Sequence, residues 1–303
     1  MSSLVVIPTH GFGNRLRMIA SSMVLSKYMN MSLYICWERD EDCCLDIHSI
    51  WYNFPIKTIT MNTIVSSKYK YFGLVHTNDI LNNIKPSDEI DYFVIKGGHE
   101  FKPNEMSLNE YLNRKYKFYS SLKFKCESQL KNIPTEFACI HYRDITYHDE
   151  NDIKKSARCN FTQNTSFNDF SSFIKRIDDS LPLYIVSNNN NIINNFKKKF
   201  PTKSLHYIPK VCSKNDRKTY HAMNSILVDF CLLTKAKFII GTYYSSFSDE
   251  ASFFNMIPKI IPINTHLHND EMYHCFNYSI HEYNSSPIGC INHNNNIFIK
   301  YCY

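Results

Sequence analysis

Three groups of polar residues sit at the ends of apolar runs, where their chemistry is available to a ligand. The first is His141-Tyr142-Arg143, closing the run Glu136-Phe137-Ala138-Cys139-Ile140. Residues alternate faces along a strand, so His141 and Arg143 project to the same side at its carboxyl end. An arginine there presents a planar fork of donors matched to an oxyanion such as phosphate; alternatively it forms a surface ion pair with Asp144 or Asp149. The second group, Ser245-Ser246, follows Phe238-Ile239-Ile240-Gly241-Thr242-Tyr243-Tyr244 and opens a helix-like segment, residues 247–254. Ser246 with Asp249 three residues on fits a capping box, which starts the helix at Ser246 with backbone N–H groups pointing outwards. A helix start behind a parallel strand attracts anions, or it is simply a well-capped helix. The third group, Asp144, His148, Asp149 and Glu150, offers proton acceptors for general-base chemistry, in a loop whose composition also suits plain solvation.

Other residues pose narrower questions. Asp229 lies between Val228 and Phe230 in an apolar helix-like stretch, where an unpaired carboxylate is costly. Its hydrogen bonds come either from its own fold or from a ligand such as the N1–H and 2-amino edge of guanine. Near the start, Gly11-x-Gly13-x-x-Leu16 with Glu38 about 20 residues on is a partial dinucleotide fingerprint. The third glycine is missing, and Pro8-Thr9-His10 lengthens a loop that the motif wants tight. His99, after Gly97-Gly98, is either a loop residue or an acceptor-side group at a strand end.

The elements that must hold these residues alternate. Strands are predicted at 4–7, 32–37, 56–59 and 92–95, with a helix after Asn14 carrying Leu16, Ile19, Ala20, Met23, Val24 and Tyr28 at helical spacing. A polar-faced helix is predicted at 116–133. The second half shows strands at 136–142, 183–187, 205–208, 238–241 and 259–263, with helices at 189–200, 219–235 and from Ser246. Alternation of this kind builds doubly wound parallel sheets. Two such halves give two Rossmann-like domains facing one another across a ligand cleft. We place the first domain at 1–115, the second at 116–270, and a tail at 271–303 packing back on the first.

At 303 residues the chain has room for two domains. Its net charge of +6 suits an anionic small ligand but lacks the concentrated basic stripe of a nucleic-acid binder. The 11 cysteines show no CxxC spacing and several lie in apolar runs, so they read as reduced structural thiols. No metal-ligand spacing appears. The opening Met1-Ser2-Ser3-Leu4 runs straight into a strand-like segment, so we expect no signal peptide and no membrane segment.

Three of these segments together resemble the fucosyltransferases of the two-domain GT-B fold, which include core α1,6-, nodulation-type and protein O-fucosyltransferases. Gly11-Phe12-Gly13-Asn14-Arg15-Leu16 is similar to their first motif, His141-Tyr142-Arg143 to their H-x-R motif, and Asp229 through Ala236, Phe238, Gly241 and Ser245-Ser246-Phe247 to their third. The resemblance implies a GDP-sugar donor, usually GDP-fucose, held by the second domain with no metal and no further cofactor. By that match His141 and Asp229 contact guanine or its ribose, and Arg143 pairs with the β-phosphate. Ser245, Ser246 and Phe247 bind the diphosphate, while Gly11, Phe12, Gly13, Asn14 and Arg15 face the donor from the first domain.

It further implies an inverting displacement onto a hydroxyl of a glycan, less often a protein, acceptor; independently of it, Glu38 and His99 at strand ends are acceptor-side candidates. Asp144 stands where many relatives carry a second arginine or a glycine-aspartate, so the base is Asp144, Asp149 or Glu150, or activity is lost and a GDP-binding protein remains. GDP-rhamnose or another GDP-sugar is an alternative donor, and an NAD-dependent enzyme using Gly11, Gly13 and Glu38 is a remoter one. Lack of an anchor suits a cytoplasmic bacterial or large-virus enzyme.

Overall fold

A computed structural model describes residues 2–72, 84–103, 105–144, 166–209, 218–242, 245–262 and 297–300. The chain divides into two compact units, Met1–Cys126 with Asn215–Asn224, and Glu127–Lys214 with Ser225–Tyr303. Each is built on its own sheet.

The first unit runs β1 (Ser3–Pro8), α1 (Phe12–Tyr28), β2 (Ser32–Ile35), α2 (Ile47–Ile50), β3 (Lys57–Thr58), α3 (Met61–Val65), β4 (Tyr69–Phe72), β5 (Tyr92–Gly97) and α4 (Leu108–Tyr119). Its five strands are all parallel, in the order β3-β2-β1-β5-β4. Leu4, Val5, Val6 and Ile7 of the central strand are buried, which is why it reads as a continuous apolar run rather than an alternating one. The edge strand β4 escapes sequence reading because Tyr69, Lys70 and Tyr71 are exposed and leave no apolar face to detect.

The helix expected at 116–133 lies elsewhere. Ser107 caps it, accepting from the backbone N–H of Glu110 at 3.2 Å, so α4 starts at Leu108. It stops at Tyr119, after which Phe124 bridges to Trp51, their rings tilted at 35° with centroids 4.1 Å apart. Tertiary pairing thus takes Phe124 out of helical register, and only a 3-10 turn, Lys125–Leu130, follows. Residue 115, the expected domain limit, falls inside α4.

The second unit runs β6 (Ala138–Tyr142), α5 (Phe167–Ile174), β7 (Leu183–Ser187), α6 (Asn190–Lys199), β8 (Leu205–His206), α7 (Tyr220–Leu233), β9 (Ile239–Gly241), α8 (Ser246–Phe254), β10 (Lys259–Pro262) and β11 (Ile297–Lys300). Strand order is β11-β10-β9-β6-β7-β8, parallel except for β11, which pairs antiparallel with β10. The described part of the tail, Ile297–Lys300, extends the second sheet, because β10 offers an edge with free ladder groups. Ala138, Ile140, Leu183, Ile185 and Ile240 meet Phe170, Ile174, Ile193 and Phe196 of α5 and α6 in one core cluster.

Helix α5 was not expected. Its start is a complete capping box in which Ser166 Oγ accepts from the Asp169 N–H and the Asp169 carboxylate accepts from the Ser166 N–H. Among the described residues no helix is long and apolar enough to cross a membrane, and Cys36, Cys43, Cys44, Cys126, Cys139 and Cys231 are free thiols.

Candidate functional site at the switch point of the second sheet

From β6 the chain moves outward through β7 and β8, then returns to the other side of β6 with β9 and β10. The direction of winding reverses between β6 and β9. Connections on either side of such a point leave in opposite directions, and the crevice at the carboxyl ends of those two strands is where open α/β sheets hold ligands. His141 is in register with Gly241 across this pair, so two predicted motifs lie side by side at the switch point.

Thr242 joins them. Its backbone N–H donates to the His141 carbonyl at 3.0 Å, and its Oγ1 donates to the same carbonyl at 3.1 Å. The same Oγ1 accepts from the Arg143 N–H at 2.9 Å. On the other flank Asn188, just past β7, accepts from the Asp144 N–H at 2.8 Å and donates to the Asp144 carbonyl at 2.9 Å. A side-chain amide can replace one step of a β ladder, and Asn188 in this way prolongs the β6–β7 pairing beyond Tyr142. Arg143 is half-buried between these clamps. Asp144 is buried, and its Oδ2 accepts from Asn189 Nδ2 at 2.7 Å.

His141 is buried, with its ring 5.5 Å from that of Phe247 on α8. Phe247 in turn meets Phe230 edge-on at 5.3 Å, and Phe230 meets Phe254 at 6.2 Å. Phe247 therefore links the imidazole to Phe230 of α7, next to which Asp229 is buried. Burial holds the Cys139 thiol well above its ordinary pKa, and the charge of Asp229 adds to that effect.

Helix α8 begins at Ser246 as expected, but without the capping box. Its N-cap is Ser245, and no side chain caps it. Asp249 is turned the other way, accepting from Lys259 Nζ at 2.7 Å in a pair buried on both sides. An ammonium under the helix attracts the carboxylate more strongly than a neutral N–H does. Ser245 is 1% exposed, and its Oγ has no hydrogen-bond partner among the described residues. A buried hydroxyl in that condition at a helix start, where backbone N–H groups also lack intrahelical partners, is a site built to receive an acceptor. Sequence reasoning missed Thr242, Asn188, Asn189 and Lys259, which lie outside the motifs or hold them by side chains far along the chain. Tyr243, Tyr244, Asp149 and Glu150 lie outside the described residues.

The first-unit motif is arranged differently. Gly11 is the N-cap of α1, and a Cβ there would meet nothing within 4 Å. Phe12 is core, 6.2 Å from both Trp51 and Phe124. Gly13 is buried in the first turn and Asn14 half-buried. Arg15 is fully buried, with Nε donating to the His10 carbonyl, Nη1 to the Glu38 carbonyl (both 2.8 Å) and Nη2 to Asp40 at 2.5 Å. Its guanidinium fixes the loop from within. His10 has φ 66° and packs on Gly98, where a Cβ would come within 2.8 Å of its Cδ2. Glu38 pairs with Lys96 at 3.2 Å, and His99 is exposed. Among the described residues no three His, Cys, Asp or Glu side chains gather to hold a metal.

No protein-family model matches the sequence, and no curated protein matches it. Solved structures do. The NodZ α-1,6-fucosyltransferase soaked with GDP-fucose superposes with a TM-score of 0.57 at 11% identity, covering 86% of this chain and 94% of that one. The fucosyltransferase NodZ from Bradyrhizobium gives 0.56 at 12%, with 86% and 95% covered. POFUT1 in complex with GDP gives 0.52 at 10%, with 84% and 95% covered. This chain has the GT-B fold of the fucosyltransferases. In a GT-B chain each Rossmann-like unit carries its own switch point. Here His141-Tyr142-Arg143 and the Gly241-Thr242 strand end share the one in the second unit, between β6 and β9.

Proposed function

We propose that this chain is a glycosyltransferase that moves fucose from GDP-fucose to a hydroxyl of a glycan acceptor, inverting the anomeric carbon without a metal. The observation that carries this reading is the buried Ser245 hydroxyl, without a hydrogen-bond partner among the described residues, at the start of the helix that follows β9, whose end is bonded to the Arg143 backbone through Thr242. Arg143 takes the β-phosphate, and Ser245, Ser246 and the first N–H groups of α8 take the remaining diphosphate oxygens. His141 and Asp229 contact guanine or its ribose. That solved structures of this fold were obtained with GDP-fucose or GDP supports the same donor class.

In the reaction an acceptor oxygen attacks the anomeric carbon, the bond from that carbon to the β-phosphate oxygen breaks, and GDP leaves with the electron pair. Negative charge growing on the diphosphate is met by a fixed guanidinium and a helix N-terminus. The acceptor proton passes to a carboxylate. Asp144 is buried and already accepts from Asn189, which suits a residue that positions Arg143, so Glu150 or Asp149 is the better base.

Thermal-shift titration of the whole chain with GDP, UDP and NAD tests the donor class: GDP alone is expected to stabilise, and stabilisation by NAD alone overturns the reading. Hydrolysis or transfer assays with GDP-fucose and GDP-rhamnose then separate an enzyme from a GDP-binding relic and one sugar from the other. Activity unchanged by EDTA is expected for a metal-independent displacement.

A further inference from the structure

Lysine is among the residues least often fully buried, yet Lys259 at the start of β10 is 0% exposed. Its side chain runs along the sheet beneath Gly241, so closely that a Cβ on Gly241 would lie 2.4 Å from Lys259 Cε. The ammonium ends between the sheet and α8. There it donates to the Thr242 carbonyl at 3.0 Å and to Asp249 Oδ1 at 2.7 Å. Replacing a buried ion pair with apolar side chains of similar volume is often neutral or stabilising, so stability is a poor account of this one. What the pair holds is a better account.

Thr242 has all three polar groups engaged: N–H and Oγ1 toward His141 and Arg143, carbonyl toward Lys259. One ammonium therefore ties the end of β9, the backbone of Arg143 and the first turns of α8 into a single rigid piece. It also turns the Thr242 carbonyl inward, keeping a partially negative oxygen away from a bound anion.

We propose that Lys259 and Asp249 form a positioning device for the diphosphate end of the donor site, fixing Arg143 relative to Ser245. This rests on the GDP-sugar reading above. Two phosphates need their guanidinium and helix-start donors at one set separation, and loosening either end weakens a diphosphate without touching a nucleoside.

The test compares GDP with guanosine on the full chain carrying Lys259→Met together with Asp249→Leu, an apolar pair of similar shape. The variant is expected to fold and to melt somewhat below wild type, because Met leaves the buried Thr242 carbonyl without its Lys259 donor. Its Kd for GDP is expected to rise by about tenfold or more while that for guanosine stays within about twofold. A folded variant that keeps wild-type GDP affinity overturns the positioning role alone, as does equal weakening of GDP and guanosine. A wild-type chain that does not bind GDP overturns the donor reading and this inference with it. If the double variant does not fold, Gly241→Ala, whose methyl displaces the Lys259 stem, and Asp249→Asn undergo the same comparison. Failure of all three to fold assigns the pair to the fold and overturns the proposal.

Discussion

Thr242 Oγ1 accepts the backbone N–H of Arg143 at 2.9 Å, joining two motifs that are 99 residues apart in sequence. Thr242→Val keeps the shape but leaves that N–H without its acceptor, a loss of about 1–3 kcal/mol. We expect Thr242→Val to lower the melting temperature and weaken GDP binding, whereas Thr242→Ser restores both. Equal GDP affinity in the two variants, measured calorimetrically, would remove the link between this bond and the site.

Arg143 itself is half-buried, with its backbone rather than its side chain held by Thr242. Arg143→Ala keeps that backbone bond and is expected to raise the Kd for GDP. Charge-assisted hydrogen bonds of about 1.5–3 kcal/mol translate into roughly 10- to 150-fold. A titration in which the alanine variant still shows the full GDP-induced shift excludes the assigned role.

Asp144 and Glu150 separate by chemistry. Asp144→Asn keeps an oxygen to accept from Asn189 and is expected to retain most GDP-fucose turnover. Glu150→Gln is expected to cut kcat by about 100-fold or more if it removes the base. The opposite pattern assigns the base to Asp144.

Gly11 has a backbone conformation open to any residue, φ −62° and ψ 163°, and space around its Cβ position. The fold gives no reason for glycine there, so Gly11→Ala is expected to melt like wild type. If a ligand supplies the reason, the methyl overpacks it, at about 1–3 kcal/mol, and turnover falls about tenfold or more. Unchanged turnover would make this glycine incidental.

Cys43 is fully buried, and burial pushes its thiol up to about 11, with smaller contributions of both signs from neighbouring groups. The folded state thus favours the neutral thiol. Its contribution is present below the ordinary value of 9.0 and is lost as pH rises from there through about 11. Stability is expected to fall over that window, less steeply in Cys43→Ala than in wild type. Identical slopes in thermal melts at stepped pH would show that the thiol titrates freely.

Much of the fold was legible because it rests on long apolar runs. Leu4–Ile7 residues, the β6 and β7 segments and Ile239-Ile240 are buried on both faces, and continuous burial writes itself into composition. The places where reading failed share a cause. β4 is exposed, and the 116–133 helix was cut short by Phe124 pairing with Trp51; neither fact has a local signature.

The clearest contrast is between Ser166-Phe167-Asn168-Asp169 and Ser246-Phe247-Ser248-Asp249. Both spell a capping box at a helix start. Only the first forms one: Ser166 is the N-cap of α5 with Asp169 at the third helical position, whereas α8 takes Ser245 as its N-cap and Asp249 pairs with Lys259. By itself the sequence determined the strand–helix alternation, the residues at each strand end and their donor or acceptor chemistry, all set within a few residues along the chain. Only the tertiary structure decided that β6 and β9 are neighbours, that Thr242 and Asn188 clamp the Arg143 strand end, and that Asp249 pairs with a buried ammonium while Ser245 takes the N-cap of α8. Those outcomes depend on competition between charges brought together by the sheet, and no local spacing records which partner wins.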